Sequence, residues 1–399
     1  MYTPSADGGH ARYAWELLTA LSKQPRGFRY ELVTSQDFDH QFESDLYPAH
    51  AILPVLQHRN SYRTKLSWAT SRVMHYTRRE KMFLSWLRTR PDIAGVHFQE
   101  WTPWLAASLF RRLRRMRKKV FYTVHNIVPH KYPPMVPKPL MHFWIRRACR
   151  LCDCLFVHTE PLAEELSRFL GGVHPPIQVV PHGVWTVENV VQGQSLEERL
   201  PAKRLLFFGE MRRNKGLHLL LQAAEFLKDY SITIAGEACD GAYFREQIIP
   251  QIKRLGEMGV QINLMARFIP EAEVGPLFAT HSAIVLPYTG QFKAQSGVVF
   301  MALAHELPVV ASEVGGLRDL LNQYKIGVTF HDPTPQALAG AVRSLFSDGA
   351  QDKLIEQIRA AKERFSWTEA ARRTIDGYQK SSEDVLESNE CAIETTAAN

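Results

Sequence analysis

No run in the chain approaches the roughly 20 consecutive apolar residues that span a bilayer. The N-terminus also lacks the basic, apolar and small-residue zones of a signal peptide, so a cytosolic location is expected. Cysteine is scarce, at five in 399 residues, which fits a reducing compartment. Cys149, Cys152 and Cys154 cluster, but no second pair with metal-ligand spacing follows, and Cys152 and Cys154 flank the start of the apolar run CLFVHT. They read as buried structural thiols, with zinc as the minor reading. There is no internal repeat of solenoid length and no nucleic-acid-binding module. No complete Gly-x-Gly-x-x-Gly follows a strand with a ribose-binding acid beyond it, which leaves a dinucleotide oxidoreductase a distant third among the candidate classes.

What is present is the composition of an ordinary soluble globular chain, 45% apolar and 22% charged, long enough for two or three domains. The formal net charge of +7 is unevenly placed. Between Arg59 and Arg150 there are 21 Lys and Arg against three acids (Glu80, Asp92 and Glu100), so the rest of the chain is net acidic. That asymmetry predicts an anionic partner for part of the N-terminal half.

Short β-branched runs alternate with stretches of helical period. Strands are predicted at Tyr30–Thr34, Ala51–Val55, Ile93–Phe98, Val120–Val124, Cys154–Val157 and Val179–Val180. A second series is predicted at Leu205–Phe208, Ile232–Ala235, Ile262–Met265, Ala283–Leu286, Val309–Ala311 and Val328–Phe330. Such alternation argues for parallel sheets with helices on both faces. The polar stretch Thr186–Pro201 reads as a linker, and the acidic segment from Ser381 reads as a disordered tail.

Three stretches can carry chemistry. Gly8-Gly9-His10 precedes a helix, where glycine permits close approach and the helix start favours an anion; the plain reading is a glycine turn. Hardly any strand precedes it, because the chain begins Met1-Tyr2-Thr3-Pro4; either the first strand is very short or the recorded start lies downstream of the natural one. The loop from Gly209 to Gly216 follows the run LLFF and carries Arg212, Arg213 and Lys215, cations suited to a diphosphate; the plain reading is a solvated basic loop. In the third, Leu286-Pro287-Tyr288 leads through Gln295 to Ser296, a good N-cap, with Gly297 and Val298 opening an apolar helix before the strand from Pro308.

Taken in series, GGHARYAWELLTAL, TVHNIVPH, VVPHGV, LLFFGEMRRNKGLHLLLQAAEFL, AIVLPY and QSGVVFMALAHELPVVASEVGGLRDL resemble retaining glycosyltransferase family 4, from Gly8 to about Tyr378. The resemblance implies an α/β GT-B fold, two Rossmann-like parallel-sheet domains facing each other across a cleft. Its implied layout is an N-terminal acceptor-binding domain over 1–190, a C-terminal nucleotide-sugar-binding domain over 200–365, a helix over 366–380 crossing back to the first, and a tail over 381–399. It implies a UDP- or GDP-sugar donor, no cofactor and no metal. It places Gly8, Gly9 and Gly209 near the donor diphosphate, with Arg212 and Lys215 neutralising it and Ser296, Gly297 and Val298 capping it. His125 matches the family histidine that faces the reaction centre; the plain reading is a satisfied structural histidine.

The chain departs from the family at two places. Lys293 and Met301 stand where the family usually has glutamates eight positions apart, and Glu210 stands where an arginine is expected after Gly209. Lys293 would add a cation to the diphosphate site. The departures keep a second class open, a degenerate homologue that binds nucleotide or membrane without transfer.

The stretch FRRLRRMRKK, with Leu105, Leu109, Leu113 and Met116 at helical spacing, suits the anionic inner face of a membrane through region 105–119. Trp101, Trp104, Phe143 and Trp144 are aromatic candidates for that interface. A core-packed helix with a solvated basic face is the competing reading. A lipid-linked or saccharide acceptor in cell-envelope polysaccharide assembly is the expected partner, and nucleic acid is not.

Overall fold

Strands apolar on both faces are stable only where helices cover the sheet on two sides, which is the setting of parallel sheets. The computed structural model describes residues 1–6, 8–25, 28–38, 43–56, 65–128, 136–185, 195–290, 296–314, 316–347 and 351–380. Predicted features at Gln295, Lys293, Gly315 and the tail over 381–399 lie outside the described residues. The described residues form two compact units, Met1–Gly183 with 367–380, and Val184–Ser366. Among the described residues, no helix is long and apolar enough to cross a membrane.

In the first unit the strands are β1 (Leu32–Ser35), β2 (Ala49–Leu53), β3 (Gly95–Phe98), β4 (Lys119–Thr123), β5 (Cys154–Val157) and β6 (Ile177–Val179), paired in parallel. A single residue joins β1 to β3, because Tyr2 bridges both Val33 and Phe98. Its N–H donates to the His97 carbonyl at 2.8 Å, and its own carbonyl accepts from Gln99 N–H at 3.0 Å. That residue therefore lies in mid-sheet, between β1 and β3. Phe98, Phe110, Leu113 and Val120 form part of the core between sheet and helices.

The second unit holds β7 (Arg204–Phe208), β8 (Ser231–Ala235), β9 (Gln261–Met265), β10 (Ala283–Leu286), β11 (Val309–Ser312) and β12 (Gly327–Phe330) in one parallel sheet. The spatial order is β12-β11-β10-β7-β8-β9. This is the doubly wound order, and it reverses between β7 and β10, where such sheets bind ligands beyond their carboxyl ends.

The expected linker is ordered in its second half. Ser195 and Glu198 make a reciprocal capping box for the short helix Leu196–Arg199, and Leu196 and Leu200 are buried. The buried Arg199 guanidinium donates to the carbonyls of Phe278, His281 and His305. Residues 184–185 also join this unit rather than the first, since Val184 N–H donates to the Phe365 carbonyl and Trp185 Nε1–H to that of Gly297.

A helix over 367–380 belongs to the first unit. Tyr378 packs on Phe121 at 4.6 Å between ring centroids, and its hydroxyl meets His97 Nδ1 at 2.6 Å. Two glycines allow this docking. A Cβ at Gly377 would lie 2.5 Å from the Phe156 ring, and one at Gly183 would lie 2.2 Å from Trp367. Gly377→Ala is therefore expected to destabilise the first unit by about 1–3 kcal/mol through overpacking, read as a lower urea midpoint; an unchanged midpoint would show that this helix does not depend on the close approach.

Candidate functional site

At the switch point of the second sheet, the loops after β7 and β10 are locked together. Gly216 has φ +68°, and a Cβ there would sit 1.7 Å from the Pro287 carbonyl oxygen, so only glycine fits. Thr289 N–H donates to the Asn214 carbonyl at 3.0 Å beside it. Gly209, at φ +113°, presents its carbonyl to Gly236, where a Cβ would lie 2.1 Å away. The loop from 209 to 216 is thereby pinned on both sides.

The side chains it carries diverge. Lys215 Nζ lies 3.9 Å above the Tyr288 ring, a cation–π contact. Arg212 pairs with Glu210 at 2.6 Å, so the acid that replaces the family arginine already occupies this cation. Arg213 turns toward Gln247 Oε1 at 3.2 Å and the face of Tyr243. Ser296 stands at the N-cap position of the helix Gly297–Ala304 but makes no side-chain cap bond. Its buried hydroxyl meets the Tyr288 hydroxyl at 3.0 Å instead, so the first amides of the helix, at Gly297 and Val298, are not covered by the cap side chain. Tyr288 thus links Lys215 to this helix start, and the sequence reading had given it no role. Met301 lies on the same helix, half-buried; Lys293 is outside the described residues.

In the first unit, Gly8 opens the helix Gly8–Ser22 at φ +75°, and a Cβ on Gly8 or Gly9 would meet no atom within 4 Å. The positive φ of Gly8, not crowding, is what favours glycine there. His10 pairs with Glu100 at 2.5 Å and stacks on His125, ring centroids 4.7 Å apart. Burial pulls His10 down, but the Glu100 hydrogen bond and charge outweigh it and hold its pKa above the ordinary value.

His125, two residues beyond β4, has partners on both ring nitrogens, with Nδ1 at 3.1 Å from His158 Nε2 and Nε2 at 3.0 Å from the Gln99 side-chain amide. His158 Nδ1–H donates to the Val180 carbonyl at 3.1 Å, which makes its Nε2 the acceptor from His125. His125 Nε2 is then an acceptor, so the Gln99 amide must turn its NH2 toward it. Burial, then the neighbouring histidines, push the His125 pKa well down. It is a neutral, fully bonded ring at the edge of an open pocket of about 650 Å³ that His10, Glu100, Arg79 and Trp104 also line.

The three clustered thiols are buried and unpaired with one another, and burial raises Cys149 and Cys154 to about 12, which suits structural residues. The basic helix Pro103–Arg115 corrects one expectation. Leu109 and Leu113 of its apolar stripe are in the core, and Trp101 stacks on Phe110. Lys118 is also buried, donating to the carbonyls of Arg90, Pro91 and Ile93. The middle of the apolar face is thus committed to packing, while Leu105 and Met116 at its ends are half-buried.

Burial lowers His97, His158 and His182 to about 3, 4 and 3. A histidine whose folded pKa lies below its unfolded one contributes stability in full above pH 6.5 and loses it as pH falls. His10 runs the opposite way, losing its contribution as pH rises through its raised value. His125 is a fourth such ring, while Glu80, raised by burial to about 7, releases its proton on unfolding and offsets one. With a net three protons taken up on unfolding, the first unit should lose about 4 kcal/mol per pH unit on acidification between pH 6 and 5. Urea midpoints at pH 7.5, 6 and 5 check this; a flat profile would mean that these rings are not held neutral.

Comparison with known proteins bears on both units. Residues 7–187 match the model of Glycosyltransferase Family 4, and residues 202–348 match that of Glycosyl transferases group 1. The chain is 28% identical to a D-inositol 3-phosphate glycosyltransferase of Xylanimonas cellulosilytica over 71% of each chain. It is 23% identical to an alpha-maltose-1-phosphate synthase of Mycolicibacterium smegmatis over 71% of this chain and 78% of the relative. Among solved structures, sucrose-phosphate synthase from Thermosynechococcus elongatus aligns with TM-score 0.72 at 17% identity, covering 95% of this chain and 97% of that one. Anabaena HepE in complex with UDP and glucose aligns with TM-score 0.68 at 15% identity, over 95% and 98%. These likenesses show the GT-B fold. With one such model matched in each unit and family 4-type enzymes among its relatives, the chain belongs to the family 4 glycosyltransferases.

Proposed function

We propose that this chain is an active, retaining hexosyltransferase that moves a hexose from a UDP- or GDP-sugar to a lipid-linked or saccharide acceptor in cell-envelope polysaccharide assembly. The observation that carries the donor half is the meeting of Lys215, Tyr288 and the start of the helix Gly297–Ala304 at the switch point of the second sheet. There a diphosphate would find an ammonium, backbone amides and the positive end of a helix. The acceptor half rests on the first unit's pocket at the carboxyl ends of its parallel strands.

In the proposed reaction an acceptor hydroxyl oxygen bonds to the anomeric carbon as the bond from that carbon to the diphosphate oxygen breaks. The hydroxyl proton leaves with the departing nucleoside diphosphate. Charge grows on the diphosphate, so the proposal assigns its stabilisation to Lys215, to Arg212 once released from Glu210, and to the amides of Gly297 and Val298, with no metal required. Gly8 and Gly9 would border the diphosphate. His125, neutral and bonded on both nitrogens, would shape the acceptor pocket rather than move a proton.

Lys215→Ala should weaken UDP or GDP binding by about 1.5–3 kcal/mol, measured calorimetrically; unchanged affinity would remove Lys215 from the donor site. A panel of UDP- and GDP-sugars, followed by nucleoside diphosphate release with and without membrane lipid extract, tests the reading as a whole. Release with one donor supports a transferase. Stabilisation by a nucleotide without release from any donor points instead to a binding protein, with Met301 and Glu210 in place of the family residues.

Attachment to the anionic inner face of the membrane is part of the proposal. Its support moves from the apolar stripe of region 105–119 to the neighbouring helix Lys138–Cys149, which exposes Leu140 and Phe143 beside Arg146 and Arg147. These join Arg111, Arg150 and Arg168 around an open pocket of about 740 Å³. None of the five arginines has a carboxylate within 4 Å among the described residues. Each cation near an anionic leaflet contributes about 1 kcal/mol. Changing Arg111, Arg146 and Arg147 to Gln should therefore release the protein from anionic liposomes in a sedimentation assay; retention on liposomes would place the contact elsewhere.

A further inference from the structure

The five arginines around the basin of about 740 Å³ come from three helices that end together. Arg111 belongs to Pro103–Arg115, Arg146, Arg147 and Arg150 to the end of Lys138–Cys149, and Arg168 to Glu160–Leu170. In a parallel sheet each crossover helix runs back against the strands. The basin therefore lies at the pole of the amino ends of β4 and β5, opposite the pocket that His125 edges.

Part of this charge has a local use. Arg146 donates to the Phe169 carbonyl and Arg150 to that of Leu170, both at 2.6 Å, which caps the carboxyl end of the helix Glu160–Leu170. Arg147 lies over the Phe143 ring at 5.8 Å. Acids are few on this pole. Asp153 is taken by Lys119 at 3.2 Å, and Glu164 and Glu165 stand one turn before Arg168 without an ion pair to it among the described residues. Five cations against those two acids leave the basin net positive.

The chain carries a matching anion beyond its described residues. After Lys380 the sequence holds five acids, Glu383, Asp384, Glu387, Glu390 and Glu394, and no Lys, Arg or His. Four of them, Glu383, Glu387, Glu390 and Glu394, have the spacing that shares one side of a helix.

The helix over 367–380 fixes where this segment begins. A Cβ on Gly377 would lie 3.5 Å from Cys154 Sγ. Burial raises the Cys154 thiol, and the nearby Lys380 charge acts against that rise. Cys154 opens β5, four residues after Arg150, so the segment leaves the first unit at the basin's own pole. Tyr378 packs on Phe121 and Phe156, whereas Tyr122 and Leu155, on the other face of the same strands, join the core under the arginine-bearing helices. The segment must therefore pass the edge of the sheet, roughly 20 Å from one helix layer to the other. Residues 381–399 reach about 65 Å when extended, which is enough.

We infer that the acidic segment 383–394 docks in the arginine basin of its own chain, and that an anionic leaflet must displace it to reach those arginines. The displacement rests on the proposed membrane attachment. The docking rests on the basin, the charge of the segment and the point where it begins.

The test uses the full chain, with Cys239→Ser so that Cys391 is labelled while Cys149, Cys152 and Cys154 stay buried. Val173→Cys supplies a second site, 95% exposed and two residues beyond Gly171 of the basin lining. The distance between spin labels at positions 173 and 391 should be short and narrowly distributed. It should lengthen and broaden in about 0.5 M salt, when the five acids become Gln or Asn, or when Arg111, Arg147 and Arg168 become Gln. The chain with the neutral segment should bind vesicles of phosphatidylcholine and phosphatidylserine several-fold more tightly, and that gain should vanish in the arginine variant.

A distance indifferent to the acids, or one that survives loss of the arginines, would overturn the docking. So would a short distance seen only on mixing singly labelled chains, which would mean docking between two copies. A vesicle gain that persists without the arginines would overturn the displacement, since it would be general repulsion by the segment. Failure of every form to bind vesicles would remove the membrane attachment and leave the distances to decide the docking.

Discussion

The second unit's ligand end depends on one contact, the carbonyl of Pro287 lying where a side chain at Gly216 would be. Strands β7 and β10 are neighbours in the sheet but far apart in sequence, and their trailing loops would otherwise be free to separate. The missing Cβ lets the two loops touch, and the Thr289–Asn214 backbone bond then fixes their register. Lys215, just before that glycine, and Tyr288, just after that proline, are brought together as a result. The backbone of Lys215 is placed by this geometry, and its ammonium is held over the Tyr288 ring.

The first unit is organised around a buried set of polar rings rather than a purely apolar centre. Tyr13 touches His125, His158, His182 and Trp367, so the helix that opens at Gly8 and the returning helix over 367–380 share one cluster. Hydrogen bonds running from the Val180 carbonyl through His158 and His125 to Gln99 satisfy the ring nitrogens in one tautomer set. Neutral histidines can be packed this way because each ring offers one donor and one acceptor. The arrangement gives His125 a fixed position at the pocket edge and leaves it no lone pair for proton transfer.

The positive charge of the N-terminal half has more than one use. Lys118 caps carbonyls inside the unit, and Arg79 is buried at the first unit's open pocket. Arg111, Arg146, Arg147, Arg150 and Arg168 form an outward basic basin. Charge counting along the sequence merges these roles, because a buried cation and a solvated one are the same letter.

Each of the twelve strands read from the sequence is present, with no end shifted by more than two residues, because short β-branched runs between helical periods are a local signal for buried parallel strands. The glycine-rich turns and the order of the motifs were legible for the same reason, being local, and so was the family to which they belong. The linker was misjudged because the capping box from Ser195 to Glu198 is a short signal inside a polar stretch. Tertiary structure alone decided which side of the basic helix faces the core, since amphipathic periodicity gives an apolar stripe and not its neighbour. It alone turned Ser296 toward Tyr288, set Glu210 on Arg212, and buried Arg79 against the Thr102 hydroxyl, because each of these is a relation between residues that the sequence places independently.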